Sequence, residues 1–104
     1  MPWILVLIAG CFEVVFAVSL KQCDGFSKLG WTAVALAAGA VSFVLLTFAM
    51  KSLSAGTAYA VWTGIGAAGT VIVGVLVLGD PHNPGRLVSI SLVIAGIIGL
   101  KLAE

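Results

Sequence analysis

The sequence predicts an all-α integral membrane protein with four transmembrane helices per chain. Of its 104 residues 62% are hydrophobic, and only five are basic and four acidic, whereas charged residues make up about a quarter of a soluble domain. Residues 29–50 and 52–79 carry no acidic or basic side chain, and about 20 helical residues suffice to cross a bilayer core of about 30 Å. The net charge of +1 excludes a basic surface for nucleic acid.

The four predicted spans cover about residues 3–20, 32–50, 57–78 and 87–102, within one transmembrane domain formed by residues 1–104. The connectors between them hold four of the five basic residues and two of the three prolines. Because these connectors are short, neighbouring helices must run antiparallel. We therefore expect a multi-pass protein of the cell inner (plasma) membrane.

The positive charges give almost no orientation signal. Lys51 and Lys101 lie at the end that holds the N-terminus, and Lys21, Lys28 and Arg86 lie at the opposite end. A difference of one positive charge leaves two alternatives, a weak bias or insertion in both orientations. Two oppositely inserted copies would supply the inverted repeat around a midplane site that secondary transporters commonly use.

Glu13 is an isolated acid in the first span, within the run "IAGCFEVVFAVSL". At about 1.5 Å per residue it lies about 15 Å deep, near the membrane midplane. No Lys, Arg or His occupies the interior of another span, so an ionised carboxylate there needs a proton or a mobile cation. The alternative is a permanently protonated glutamate, hydrogen-bonded between helices.

The residues around Glu13 predict a small cavity with an aromatic wall. Gly10 leaves room on the same helical face, and Phe16 offers a ring that suits a cation. Ser42, in a stripe of small residues of the second span, adds a hydroxyl. The alternative for that stripe is close helix packing alone.

The third span, "GTAYAVWTGIGAAGTVIVG", places Tyr59, Trp62 and Thr63 on one face. Aromatic rings in the middle of a span, away from the interface belts, usually meet something polar. We therefore predict that these three side chains line the same pocket. The alternative is an apolar stripe that faces the core or lipid.

Glycines of the third span predict a bend. Gly64, Gly66 and Gly69 also match a dinucleotide-binding fingerprint formally, but neither a strand before them nor an acid about 20 residues later supports that match. Clustered glycines allow a membrane helix to kink. We expect the helix to bend there as access switches between the two membrane faces.

The fourth span predicts a dimer contact. Ser91, Ala95 and Gly99 form a ridge of small residues, with Gly96 beside it, and such ridges pack helix against helix. His82 in "GDPHNPG" is predicted to be a turn residue rather than a metal ligand. We expect no metal, no cofactor and no enzymatic activity, because the sequence offers neither a ligand cluster nor a nucleophile–base pair.

Taken in order, "AGCFEVV", "LKQCDGFSKL", "GTAYAVWTGIGA" and "AGIIGLK", together with Ser42, resemble the small multidrug resistance family of transporters over essentially the whole chain. The resemblance implies an antiparallel, dual-topology dimer, in which two equivalent glutamates bind protons or a cationic substrate alternately. A homodimer is expected, and a heterodimer of two related chains is the alternative.

Within that family, Gly10, "WTGIGA" and the terminal "GLK" resemble the guanidinium-exporter branch. The resemblance implies a proton-coupled antiporter that exports small guanidinium-type cations, with Glu13 as the proton and substrate site. It also implies that Ser42, Tyr59 and Trp62 orient the carboxylates and line the pocket, and that Thr63 supports them. Phe16 departs from this branch, which typically has tryptophan there, so export of quaternary ammonium or other lipophilic cations is the alternative. A passive channel is a third reading. The natural substrate, the proton stoichiometry and the hinge glycine stay open.

Overall fold

The computed structural model describes residues 2–103 and shows four α-helices. They are α1 (Pro2–Gln22), α2 (Leu29–Ala49), α3 (Ala55–Val77) and α4 (Pro84–Ala103). All four are long and apolar enough to cross a membrane, and no strand occurs in the described part of the chain. The predicted all-helical fold class is confirmed. The ends of the helices differ from the predicted spans by one to three residues.

Capping side chains in the connectors determine where α3 and α4 begin. The Ser54 hydroxyl accepts a hydrogen bond from the backbone N–H of Thr57 at 3.4 Å. The Asn83 side-chain oxygen accepts one from the backbone N–H of Arg86 at 3.0 Å, and Pro84 is the first helical residue after it. These caps satisfy backbone donors that have no partner inside the helix. They start both helices at defined positions.

The first connector reverses the chain through a left-handed turn. Asp24, Gly25 and Phe26 have φ angles of 50°, 65° and 68°, and the N–H of Lys28 closes the turn on the carbonyl of Cys23 at 3.0 Å. Glycine adopts this conformation readily, whereas phenylalanine rarely does. The turn brings α2 back antiparallel to α1.

α1 is the central helix of the chain. It packs against both α2 and α3, whereas α4 packs against α3. The chain measures 41 × 34 × 16 Å, so it forms a thin slab rather than a closed bundle. α4 contributes no buried residue. The buried apolar core joins the first three helices and consists of Val6, Ala9, Leu46, Ala49, Leu53, Ala58, Val61 and Trp62.

Glycines allow α1 and α3 to approach closely. A Cβ atom placed on Gly10 would lie 2.5 Å from the Ile65 side chain, and one on Gly69 would lie 2.5 Å from Val14. A methyl group at such a distance would overlap with the neighbouring side chain. Each glycine therefore leaves space for a branched side chain of the other helix.

α3 is an unbroken helix through the glycines that were predicted to bend it. Gly64 faces Ile97 of α4, whereas Gly66 and Gly69 face α1. In this conformation the three glycines therefore serve contact with neighbouring helices. A bend at them during transport stays a prediction.

The predicted dimer ridge on α4 is open. Ser91, Ala95, Gly96 and Gly99 are all exposed, and a Cβ atom on Gly96 or Gly99 would meet nothing within 4 Å. Such a surface of small residues suits close packing of a further helix. Dimerisation through it stays a prediction.

Candidate functional site

Glu13 lies half-buried in the middle of α1, with its carboxylate directly against Gly66 of α3. A Cβ atom at Gly66 would collide with the carboxylate, so this position requires glycine while the carboxylate keeps its place. The basic residues lie in connectors, in the last turns of α1 and α4, or, for Arg86, in the first turn of α4. Residues 2–103 therefore offer this acid no fixed counter-ion.

A buried hydrogen-bond chain lies about one helical turn away. The indole N–H of Trp62 donates to the Ser42 hydroxyl at 2.8 Å, and the Ser42 hydroxyl donates to the backbone carbonyl of Ala9 at 2.6 Å. Trp62 is 8% exposed and Ser42 is 1% exposed. Each of these side chains has a single donor hydrogen. Both donors are used in this chain of bonds, so neither donates to Glu13 in this conformation.

The hydrogen bond to Ala9 connects Ser42 to Glu13 through the backbone. In an α-helix the N–H of residue i donates to the carbonyl of residue i−4, so the Ala9 carbonyl is also the acceptor for the N–H of Glu13. Ser42 therefore joins α2 to the turn of α1 that ends at Glu13. The family resemblance implies that Ser42 and Trp62 orient the carboxylate, and this role stays a prediction; in this conformation they bond to the backbone that carries it.

Two exposed rings flank Trp62. The Tyr59 ring lies 5.5 Å from the indole and the Phe43 ring lies 5.4 Å from it, centroid to centroid, both tilted. These are favourable separations for aromatic pairs. Tyr59 is 56% exposed and Phe43 is 55% exposed, so this aromatic cluster of Phe43, Tyr59 and Trp62 faces out of the chain.

Phe43 is a residue of this cluster that sequence reasoning missed. It follows Ser42 directly, so helical geometry turns it by about 100° away from the Ser42 face. Its position among apolar residues of α2 gave no sign that its ring reaches α3. It could have been identified only if the contact between α2 and α3 near Trp62 had been known.

Phe16 and Gly10 lie at helix contacts. The Phe16 ring is half-buried and lies 3.0 Å from the position of a Cβ atom on Gly39 of α2. Gly10 is covered by Ile65 of α3, so the space beside it is filled within the single chain. Thr63 is exposed on α3 next to Trp62. The exposure of Tyr59 and Thr63 means that one chain leaves this face of the site open.

Potential metal ligands are scattered. Among residues 2–103, no group of three or more His, Cys, Asp and Glu side chains is placed to hold a metal ion. Cys11 and Cys23 are both free, and His82 is exposed in the third connector. The chemistry available at the site is that of one carboxylate beside aromatic rings.

Comparison with known proteins identifies the family of this four-helix chain. The family model described as "Small Multidrug Resistance protein" matches residues 1–93. The chain belongs to the small multidrug resistance family.

Relatives of this small multidrug resistance protein share its full length. A protein of Salmonella typhimurium named guanidinium exporter is 54% identical over 103 residues, which cover 99% of this chain and 98% of the relative. Guanidinium exporters of Yersinia pseudotuberculosis and Citrobacter freundii are 55% identical over 104 residues and 53% identical over 103 residues. Coverage is complete for both chains in the first case, and 99% of this chain and 98% of the relative in the second.

Membership of the small multidrug resistance family confirms the expected localisation and class. A chain of this family with four helices able to cross a membrane is a multi-pass protein of the inner membrane. It is a transporter and not an enzyme. The roles of the individual site residues stay predictions.

Proposed function

We propose that this small multidrug resistance protein is a proton-coupled antiporter that exports small guanidinium-type cations. The observation that carries the proposal is Glu13, a carboxylate near the middle of a helix able to span a membrane, with no fixed counter-ion in the described part of the chain. The relatives named guanidinium exporters, at 53% to 55% identity over full length, support the choice of substrate.

Exchange of a proton for a cationic substrate follows from the high free energy of an uncompensated carboxylate in the membrane. The ionised acid is stable there only when a cation compensates it, and the protonated acid has no charge to compensate. A proton and a cationic substrate therefore compete for Glu13, and each must leave before the other binds. If the site changes its access only when occupied, proton entry drives substrate export.

Guanidinium suits this site for two reasons. It is a planar cation whose N–H groups form two parallel hydrogen bonds to one carboxylate. Its flat face also stacks favourably on aromatic rings. Trp62 of the aromatic cluster lies about 6 Å along α3 from Gly66, at the level of Glu13, because Gly66 is four positions after Trp62 in the helix.

Two oppositely inserted copies complete the transporter. The near-equal positive charge at the two ends permits both orientations, and the ridge on α4 offers a surface for the second copy. The Phe43 and Tyr59 rings of the aromatic cluster are exposed in a single chain, so a second copy would cover them. Each copy would contribute one Glu13 to a shared site.

The test measures proton flux in liposomes that contain the purified protein and a pH-sensitive dye. We expect an outward guanidinium gradient to drive protons in the opposite direction, and Glu13→Gln to abolish this flux. Asp24→Asn removes an acid from the first connector, outside the site, and is expected to retain the flux. Guanidinium movement without proton movement, or coupled flux in Glu13→Gln, would refute the exchange mechanism.

Phe16 supports a second candidate substrate class, the quaternary ammonium cations. Its ring packs on Gly39 and has no N–H to donate, whereas the guanidinium branch typically has tryptophan at this position. We expect Phe16→Trp to raise the ratio of guanidinium-driven to tetraethylammonium-driven proton flux. Phe12→Trp adds the same ring on an exposed face of α1 and is expected to leave the ratio unchanged. An unchanged ratio in Phe16→Trp would show that this position does not set selectivity.

A further inference from the structure

Arg86 occupies an unusual position at the start of α4. It lies in the first turn, three residues after the capping Asn83. The N-terminus of a helix carries a partial positive charge, so a cation there is destabilised unless an anion is near. Arg86 is also only partly exposed, which strengthens the demand for a compensating negative charge.

The described residues do not supply a partner for its buried nitrogen. The Nε atom of Arg86 is buried and has no hydrogen-bond partner among the described residues. Asp80, the acid nearest in sequence, instead has its carboxylate against Gly74 on α3. A buried guanidinium nitrogen without a partner is costly, because its interaction with water is lost and nothing replaces it.

Two adjoining grooves between α3 and α4 share Arg86. One has a volume of about 420 Å³ and is lined by Asn83, Arg86 and Ser89 together with apolar residues of both helices. The other has a volume of about 210 Å³, and apart from His82 and Arg86 its lining is apolar, with Ile72 and Leu87 on its walls. A groove that offers a few polar groups beside one that offers almost none matches a ligand with a charged head and a hydrocarbon tail.

The grooves lie where such ligands are found. The end of α3 at Val77 and the start of α4 at Pro84 mark the membrane surface, at the depth of lipid head groups. Basic pockets between transmembrane helices at this depth bind anionic lipid head groups. A free phosphate ion would use the arginine but would leave the apolar groove empty.

We propose that the α3–α4 cleft binds one anionic phospholipid, with its phosphate on Arg86 and an acyl chain along Ile72 and Leu87. The lipid supplies the missing negative charge at the start of α4. It also covers an apolar surface that the chain leaves open. The site is separate from Glu13 and does not depend on which cation the protein transports.

Native mass spectrometry of the full chain in detergent tests this proposal. Phosphatidylglycerol and phosphatidylcholine with identical acyl chains are compared as probes. We expect preferential binding of phosphatidylglycerol, and Arg86→Gln to lower that preference about fivefold. Arg86→Lys is expected to keep part of it. Lys101→Gln removes a basic residue at the opposite end of α4 and is expected to keep all of it.

A second variant tests the apolar groove while Arg86 stays in place. Ile72→Trp fills the groove and is expected to weaken phosphatidylglycerol binding, and it decides the matter if Arg86→Gln does not fold. Unchanged lipid preference in Arg86→Gln, or unchanged binding in Ile72→Trp, would overturn the proposal. Glycerol phosphate that competes as well as phosphatidylglycerol would also overturn it, because a head group alone would then account for binding.

Discussion

Replacing Gly66 with alanine tests whether the carboxylate of Glu13 depends on the close approach of α3. The added methyl group would occupy the place of the carboxylate, so either the side chain must move or the helices must separate. Gly56 provides a matched control on the same helix, because a Cβ atom there meets nothing within 4 Å.

The expected free energies follow from two opposing effects. Exchanging glycine for alanine in a helix gains up to about 1 kcal/mol, because the unfolded chain loses conformational freedom. Inserting a methyl group into a packed contact costs about 1–3 kcal/mol. Gly56→Ala shows only the first effect, so we expect it to be neutral or more stable than the original protein. Gly66→Ala should be less stable than Gly56→Ala by about 1–3 kcal/mol.

The assay combines unfolding with transport. Titration with a denaturing detergent in mixed micelles gives the free energy of unfolding, and liposomes give guanidinium-driven proton flux. We expect Gly66→Ala to lose at least about tenfold in flux, since a carboxylate displaced by about 1 Å is poorly placed to bind substrate, while Gly56→Ala keeps it. Equal stability and equal flux in the two variants would refute the close contact of Glu13 with Gly66.

Two further predictions concern the hydrogen-bond chain and the α4 ridge. A double-mutant cycle of Ser42→Ala and Trp62→Phe is expected to give a coupling energy of about 0.6–1.7 kcal/mol in unfolding free energy, and a coupling energy near zero would contradict the bond between them. Gly99→Leu is expected to weaken dimerisation about tenfold in a fluorescence energy-transfer assay in liposomes. Gly30→Leu, which also points into open space, is its control, and equal dimerisation in both variants would exclude the ridge as the interface.

The four membrane helices could be predicted because their signal, a long apolar run with few or no charged residues, extends over a whole segment. Residues 29–50 and 52–79 carry no acidic or basic side chain, which leaves a membrane helix as the structure that satisfies every backbone group in lipid. The residues at which the helices begin and end were harder to predict. α2 and α3 begin three and two residues before the predicted spans. The start of α3 follows the Ser54 cap, and a cap fixes where a helix begins without changing its hydropathy.

The contacts that the site residues make could not be predicted from the sequence, because they depend on which helices pack together and on their register along the helix axes. Ser42 and Trp62 were both selected, but their bond to each other needs the register between α2 and α3. The Ala9 carbonyl could not be selected at all, since every residue has one. Gly66 was interpreted as a hinge, while its contact with Glu13 depends on how α1 is rotated about its axis.

These contacts indicate two uses for the glycines of α3, close packing against α1 and freedom to move relative to it. Gly66 and Gly69 allow α3 to lie against Glu13 and Val14, and the same lack of side chains would allow α3 to slide or bend against α1. A substituted residue at either position would fix one arrangement. A helix that must hold the carboxylate in one state and release it in another needs a contact surface without interlocking side chains, and glycine is the residue that provides it.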